Sequence, residues 1–568
     1  MRKLICILAF LSASFLQAQN LTPSQKEADF RYLASLFVTY YAPIDWKNQL
    51  FGFDARNIGP WLDRVAQTTT DLDFYELCVE YVASLNDTHD HYSLTSDFVA
   101  NLGFTTDVYD GVLLIDSINR TLLPLSKYPF TFGDRLISLD GIPAEQYLVD
   151  YRKYASYENP RATKRLTAAR ITLRPQSLMP HATDVLGQSA TVVIAQQNGG
   201  TVTYTIPWTT SGTPLQVGPT PSPRAKTMQR PKLEQSAEEP DYMKALRDAQ
   251  WSGVLNASEL GLNNLGSRNP IFAGALPRFQ FTQRFGTNAA DFYYSGTFKY
   301  QDLTIGYIRL PNYSPPSTSI ALTQFEQEMD YMMANTDGLI FDEMRNTGGN
   351  LCFGEEIAAR LIPYPFQATG FRSRPFWSRV NSFYNSLNSA IANRASPQVI
   401  ALYTMWLQAL LDAAQQGKTV TESLPLCTAS LTRDALLDKD GRLMAYQRPV
   451  MMLIDEFSLS TADSVPNMIQ GANRALIVGM RSNGAGGNNT SYPSGSYSEG
   501  TTGMTLALQT RKAPADIPGY PESVYIENAG VWPDITMDYM TKDNLLQSGA
   551  PFVGGFLQTM ADFIRQPR

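Results

Sequence analysis

Histidine is nearly missing from this chain: there are three in 568 residues, His89, His91 and His181. Chemistry that needs an imidazole therefore has few places to occur. Two histidines two residues apart suggest a metal pair, but no HExxH pattern and no nearby cysteine accompany them, so no metal is expected. Cysteine is scarce too. Cys6 lies in the first apolar run, and Cys78, Cys352 and Cys427 remain, an odd number from which no disulfide framework is expected. After the first residues no apolar run is long enough for a membrane span. Basic residues (46) are outnumbered by acidic ones (53), which leaves a charge of −7 and offers nothing to nucleic acid. No internal repeat is present, and no carboxylate pair is isolated at a spacing that suggests glycan hydrolysis. No organic cofactor is implied.

What is present begins with a leader. Arg2 and Lys3 precede the apolar run Leu4 to Leu16, and Leu16-Gln17-Ala18 offers a small-residue cleavage site. Residues 1–18 therefore read as a Sec-type signal peptide, with the mature protein periplasmic or extracellular. No cysteine follows the cut to carry a lipid. The remaining length calls for two to four domains. Residues 19–100 read as helices, with apolar residues at three and four spacing over Gln25 to Tyr41 and Asp73 to Leu85. Residues 101–210 change period to short strands between turn residues, as in GDRLISLDGIPAEQ (Gly133 to Gln146), and form a mainly β module. Residues 211–275 begin with a proline-rich stretch and read as a linker or insertion. Residues 276–568 alternate strand and helix, with a helical insertion at about 380–440. The fold class is α/β and α+β multidomain.

The stretch from Arg448 to Gly487 organises the rest. Pro449 to Ile454 is a short apolar run suited to a buried strand, Asp455 to Thr461 is a polar elbow, and Ala462 to Gly471 reads as a helix. A second apolar run, Ala475 to Val478, leads into a glycine-rich loop. In such a crossover the elbow lies at the carboxyl end of the strand, where open α/β sheets carry their chemistry. Ser460 there would lie beside the free N–H groups that begin a helix. Taken alone, the stretch favours Ser458 and Ser460 as helix caps. Upstream, GLIFDEMRNTGGN (Gly338 to Asn350) is a strand entering a glycine turn, where a backbone can approach a ligand closely. It has neither the spacing nor the lysine of a P-loop.

The order of DTHDHY, GDRLISLDGIPAE, GLIFDEMRNTGGN, PVMMLIDEFSLSTADS, ALIVGMRSNGAGG and IENAGVWPDI resembles the S41 peptidases, the carboxyl-terminal processing and tricorn-type serine proteases. The resemblance implies a PDZ-like β module and a ClpP/crotonase-like α/β catalytic core. It makes Ser460, three residues before Asp463, the nucleophile, with the N–H groups of Gly348 and Thr461 as the oxyanion hole. The processing branch places a lysine base 25 residues past the serine, and alanine occupies that position here, Ala485. The tricorn-type branch uses a hydroxyl–histidine pair and a late glutamate. Thr88-His89 and Glu527 match these, with threonine in place of serine, so that His89 serves as base and Thr88 and Glu527 orient and stabilise its ring. Arg345 stands one place later than the family's arginine. The implied activity is an exported serine endopeptidase acting on peptide or protein substrates. The alternative is an inactive S41-like peptide- or ligand-binding protein.

Overall fold

The computed structural model describes residues 20–216, 218–219, 240–250 and 265–566. The proposed leader, 1–18, and most of the 211–275 segment lie outside the described residues. Four helices open the described chain: Pro23–Tyr40, Ile44–Phe51, Gly59–Val65 and Asp71–Ala83. The first and fourth start at capping boxes, Thr22 with Gln25 and Thr70 with Asp73, which satisfy N–H groups that the helix itself cannot. Their apolar faces meet through Phe30, Phe37 and Tyr81, with the Phe30 and Tyr81 rings edge-on at 5.1 Å.

The β module is an antiparallel sheet in the order Phe104–Tyr109, Val112–Ile118, Arg135–Leu139, Ser189–Ala195, Thr201–Pro207, with Ile142–Pro143 paired to the third strand. Alternation buries Leu136, Val192 and Ile194 with Ala168 and Ile171 of the helical stretch starting at Pro160. The module is bound to the rest through charge. Arg165, almost fully buried, donates to Asp107 within the module, to Glu456 Oε1 at 2.7 Å in the elbow, and to the Tyr539 hydroxyl.

The central sheet has seven strands in the order Phe281–Phe285, Tyr294–Tyr300, Leu303–Arg309, Gly338–Asp342, Val450–Ile454, Leu476–Gly479, Ile535–Thr536. The first three are antiparallel neighbours. From Leu303–Arg309 onward every pairing is parallel. Gly338–Asp342 and Val450–Ile454 are buried at every position, as expected for central parallel strands covered on both faces. The helices Thr318–Asn335, Leu351–Ala359 and Thr461–Gly471 form the crossovers. The expected insertion contains two helices, Trp377–Ala392 and Pro397–Gln415, packed on each other through Phe383, Tyr403 and Trp406.

Two features differ from expectation. Cys352 and Cys427 form a disulfide with Cα atoms 5.3 Å apart, leaving Cys78 free and buried. An odd count had argued against a disulfide framework, but three cysteines accommodate one bridge and one core thiol. The second feature is the end of the presumed linker. Leu265 packs against Phe457, and Gly266 N–H donates to the Arg345 carbonyl at 2.8 Å, so residues from 265 onward belong to the core.

Candidate active site

The strand Val450–Ile454 delivers the elbow to the sheet's carboxyl edge. There Ser458 proves structural. Its hydroxyl donates to the Glu343 carbonyl at 2.9 Å and accepts from Asp455 N–H at 3.0 Å, which braces the turn. Ser460 is different. Its backbone sits at φ 62° and ψ −110°, a region that a residue with a side chain rarely occupies, directly before the helix Thr461–Gly471. Asp463 holds it there by accepting Ser460 N–H at 2.9 Å. The same carboxylate accepts Gly484 N–H at 2.8 Å, Ala485 N–H at 3.0 Å and the Ser482 hydroxyl. Burial pushes Asp463 up to about 6, against the pull of those donors. Ala485, where a lysine base would stand, is thus part of a loop tied to Asp463.

His89 arrives from the other end of the chain. After the helix Asp71–Ala83 the chain turns through Asp87-Thr88-His89, then Tyr92–Ser93 adds to the edge of the strand Thr501–Ala515. Gly503 in that strand lets the turn approach: a Cβ there would lie 1.9 Å from the His89 carbonyl oxygen. The result places His89 Nε2 3.3 Å from Ser460 Oγ, with 3% of His89 and 1% of Ser460 exposed. Asp87 Oδ1 accepts His89 N–H at 2.9 Å.

The remaining expected residues fall around this pair. Thr88 directs its hydroxyl to Asn483 Oδ1 at 2.7 Å and to Glu158, which also accepts Thr88 N–H at 2.8 Å. These bonds tie the turn to the 483 loop and to the β module. Gly348 lies against the nucleophile: a Cβ on it would come 2.8 Å from Ser460 Cβ and 2.7 Å from the Leu459 carbonyl, at a φ of 78° open to glycine. Its N–H donates to Asn346 Oδ1 at 2.9 Å. Thr461, at the start of the helix, donates its hydroxyl to the Gly349 carbonyl at 2.9 Å, which fixes the glycine turn to the elbow. Arg345, the shifted arginine, sits with φ 55° and carries its guanidinium 5.7 Å from the Tyr539 ring. His181 is half-exposed between Asp73 and Asp184, away from the site.

Glu527 accepts Gly486 N–H at 3.1 Å and meets Lys47 Nζ at 2.5 Å. Sequence reasoning missed Lys47, Asp87 and Glu158. Oxygens of Asp87, Glu158 and Glu527 lie within 4.8 Å of one another, a spacing a metal ion can use, but Lys47 supplies positive charge at the cluster. Burial drives Glu527 up to about 8, with Asp87 adding to the shift and Lys47 opposing it. Burial likewise pushes up Glu158 and Asp90, reinforced by neighbouring carboxylates. Burial works against the Asp87 charge as well, but Lys47, His89 and the Tyr41 hydroxyl outweigh it and hold that carboxyl low. No sequence signal marks Lys47, because its partners come from positions 86, 87 and 527.

Among the described residues, no helix is long and apolar enough to cross a membrane. Comparison with known proteins agrees with the architecture. A protein of Chlamydia trachomatis serovar D is 23% identical, the alignment covering 95% of this chain and 93% of its own. One from Chlamydia muridarum is also 23% identical, over 95% and 94%. The crystal structure of mature CPAF superposes with a TM-score of 0.71 at 18% identity, covering 95% of this chain and 98% of that one. Mature CPAF complexed with lactacystin gives 0.70, covering 95% and 99%. At that identity the likeness establishes a shared mixed α/β multidomain fold. Residues 304–537, which carry the glycine turn, the elbow and Glu527, match peptidase family S41. The chain therefore carries a peptidase family S41 domain.

Proposed function

We propose that this protein is an exported serine endopeptidase working through an acyl-enzyme. Ser460 attacks the peptide carbonyl. His89 takes its proton at Nε2 and returns it to the leaving amine. The N–H groups of Thr461 and Gly348 face the developing oxyanion, Gly348 sharing its donor with Asn346 Oδ1. Thr88 holds the histidine turn in place, and Glu527 lends negative charge to the cluster beside it, which favours the imidazolium. Water then releases the acyl group. Residues 101–210 act as a PDZ-like module that binds peptide or gates the cleft. The signal-like leader and the disulfide fit an oxidising compartment outside the cytoplasm.

One observation carries this reading: the 3.3 Å contact between His89 Nε2 and Ser460 Oγ, groups 371 positions apart in the chain. The competing reading, a fold-preserving peptide carrier, draws on the Gly348 N–H already engaged by Asn346. Turnover of a peptide library separates them. A peptidase cleaves, and Ser460→Ala and His89→Ala each remove cleavage while binding persists. Binding without cleavage by the folded wild type establishes the carrier.

A further inference from the structure

The helix Ile44–Phe51 sends two consecutive side chains to one residue. Trp46 Nε1–H donates to the Glu527 carbonyl oxygen at 3.1 Å, and Lys47 Nζ meets the Glu527 carboxylate at 2.5 Å. Lys47 also donates to the Asn86 carbonyl at 2.8 Å, directly ahead of the Asp87-Thr88-His89 turn, and lies 3.9 Å from Asp87 Oδ2. Its side chain is fully buried, as are those of Asp87 and Glu527. Taking an ammonium out of water costs several kcal/mol unless close partners compensate. The groups facing it are Asp87, His89 and Asp90 from the turn, Glu158 from the β module, Glu527 from the late loop, and Tyr41 through its bond to Asp87. Among the described residues, Lys47 is the only lysine or arginine that forms an ion pair with any of these carboxylates.

We propose that Lys47 is a positioning residue of this active site: its ammonium pairs with the Glu527 side chain and pins it to the turn that presents His89 to Ser460. The proposal rests on the peptidase reading above and adds to it the cation that partners the glutamate. Without Lys47, Glu527 would share a dry pocket with three other carboxyl groups and no paired lysine or arginine, and would be driven further toward its protonated form. The negative charge that favours the imidazolium would then be reduced, while the peptide-binding surface would be untouched.

The test uses the full-length protein with Lys47→Met, Glu527→Gln and the double variant. It measures kcat, KM and the rate of fluorophosphonate labelling from about pH 6 to pH 9, the range in which a base near neutrality titrates. Lys47→Met should lower kcat on the order of 10- to 100-fold, the range of coupling between residues of one charged network, and leave KM within about twofold. Its acid limb should move to higher pH, because Glu527 must now lose its proton without the ammonium. In Glu527→Gln the limb should instead move to lower pH, because His89 loses the negative charge that favours its imidazolium, and the double variant should be no slower than Glu527→Gln alone. An unchanged pH profile in Lys47→Met, or losses that multiply in the double variant, would overturn the proposal. If Lys47→Met fails to fold, the double variant against Glu527→Gln decides: equal labelling rates support it and a further drop overturns it. The peptidase reading fails separately, if Ser460→Ala still turns over substrate.

Discussion

Gly503→Ala perturbs the site without touching a reacting group. In the structure a Cβ at 503 would meet the His89 carbonyl oxygen at 1.9 Å, the His89 carbonyl carbon at 3.0 Å and Asp90 Cα at 3.3 Å. Ordinary contact begins at 3.4 Å, so the strand and the turn must separate by about 1.5 Å. The strand cannot give way easily. It pairs with Gly487–Pro493 along one edge and with Tyr92–Ser93 and Gly370–Ser373 along the other. The turn is also held, by Thr88 to Glu158 and Asn483, but it is shorter, and it carries the strain. A contact of 3.3 Å between His89 Nε2 and Ser460 Oγ does not survive a shift of that size. Misplacing a catalytic group by about 1 Å costs roughly a hundredfold in rate, and overpacking costs about 1–3 kcal/mol of stability. The expected variant is folded by circular dichroism, unfolds at a modestly lower temperature, and labels with fluorophosphonate at least a hundredfold more slowly. Labelling within about threefold of wild type, with the alanine in place, would refute the claim that this turn delivers the base.

Two further outcomes follow from groups away from the reacting pair. Burial raises Glu355 to about 7, despite Arg433 at 2.9 Å. A carboxyl raised above its unfolded value contributes stability that is present below about pH 4.5 and is lost as pH rises through about 7. Relative to Glu355→Gln, the wild type should therefore lose on the order of 3 kcal/mol between pH 4 and pH 8 in urea unfolding, and parallel curves would contradict this. The Cys352–Cys427 bridge closes a span of 75 residues, so Cys352→Ser should destabilise by up to about 4 kcal/mol and a reductant should lower the wild-type unfolding temperature in the same direction. Indifference to both would show that the bridge holds nothing.

What could be read from the sequence follows the range of the interactions. The elbow was legible because strand, turn and helix are local patterns: Val450–Ile454 and Thr461–Gly471 lie within a residue of their expected limits. Ser460 and His89 were named by resemblance, with only three histidines to choose among, and the structure brings the two side chains to 3.3 Å. Lys47 was not, since its meaning depends on carboxylates 40 to 480 positions away, and a lysine on a short helix ordinarily points to water. Glu158 was hidden likewise inside a module taken for a separate unit, although Glu158, Arg161 and Arg165 all reach out of it. Thr88 was assigned to the imidazole by resemblance, whereas its described bonds run to Glu158 and Asn483. The disulfide was missed because parity says nothing about which two of three thiols meet.

The central claim is that one hydroxyl near the end of the chain is activated by one imidazole near its beginning. Mass spectrometry of the fluorophosphonate-treated protein tests it directly by locating the adduct. The account predicts a single modification on Ser460 in the wild type, absent in Ser460→Ala and strongly reduced in His89→Ala. An adduct on another residue, or one on Ser460 that forms just as fast without His89, would contradict it.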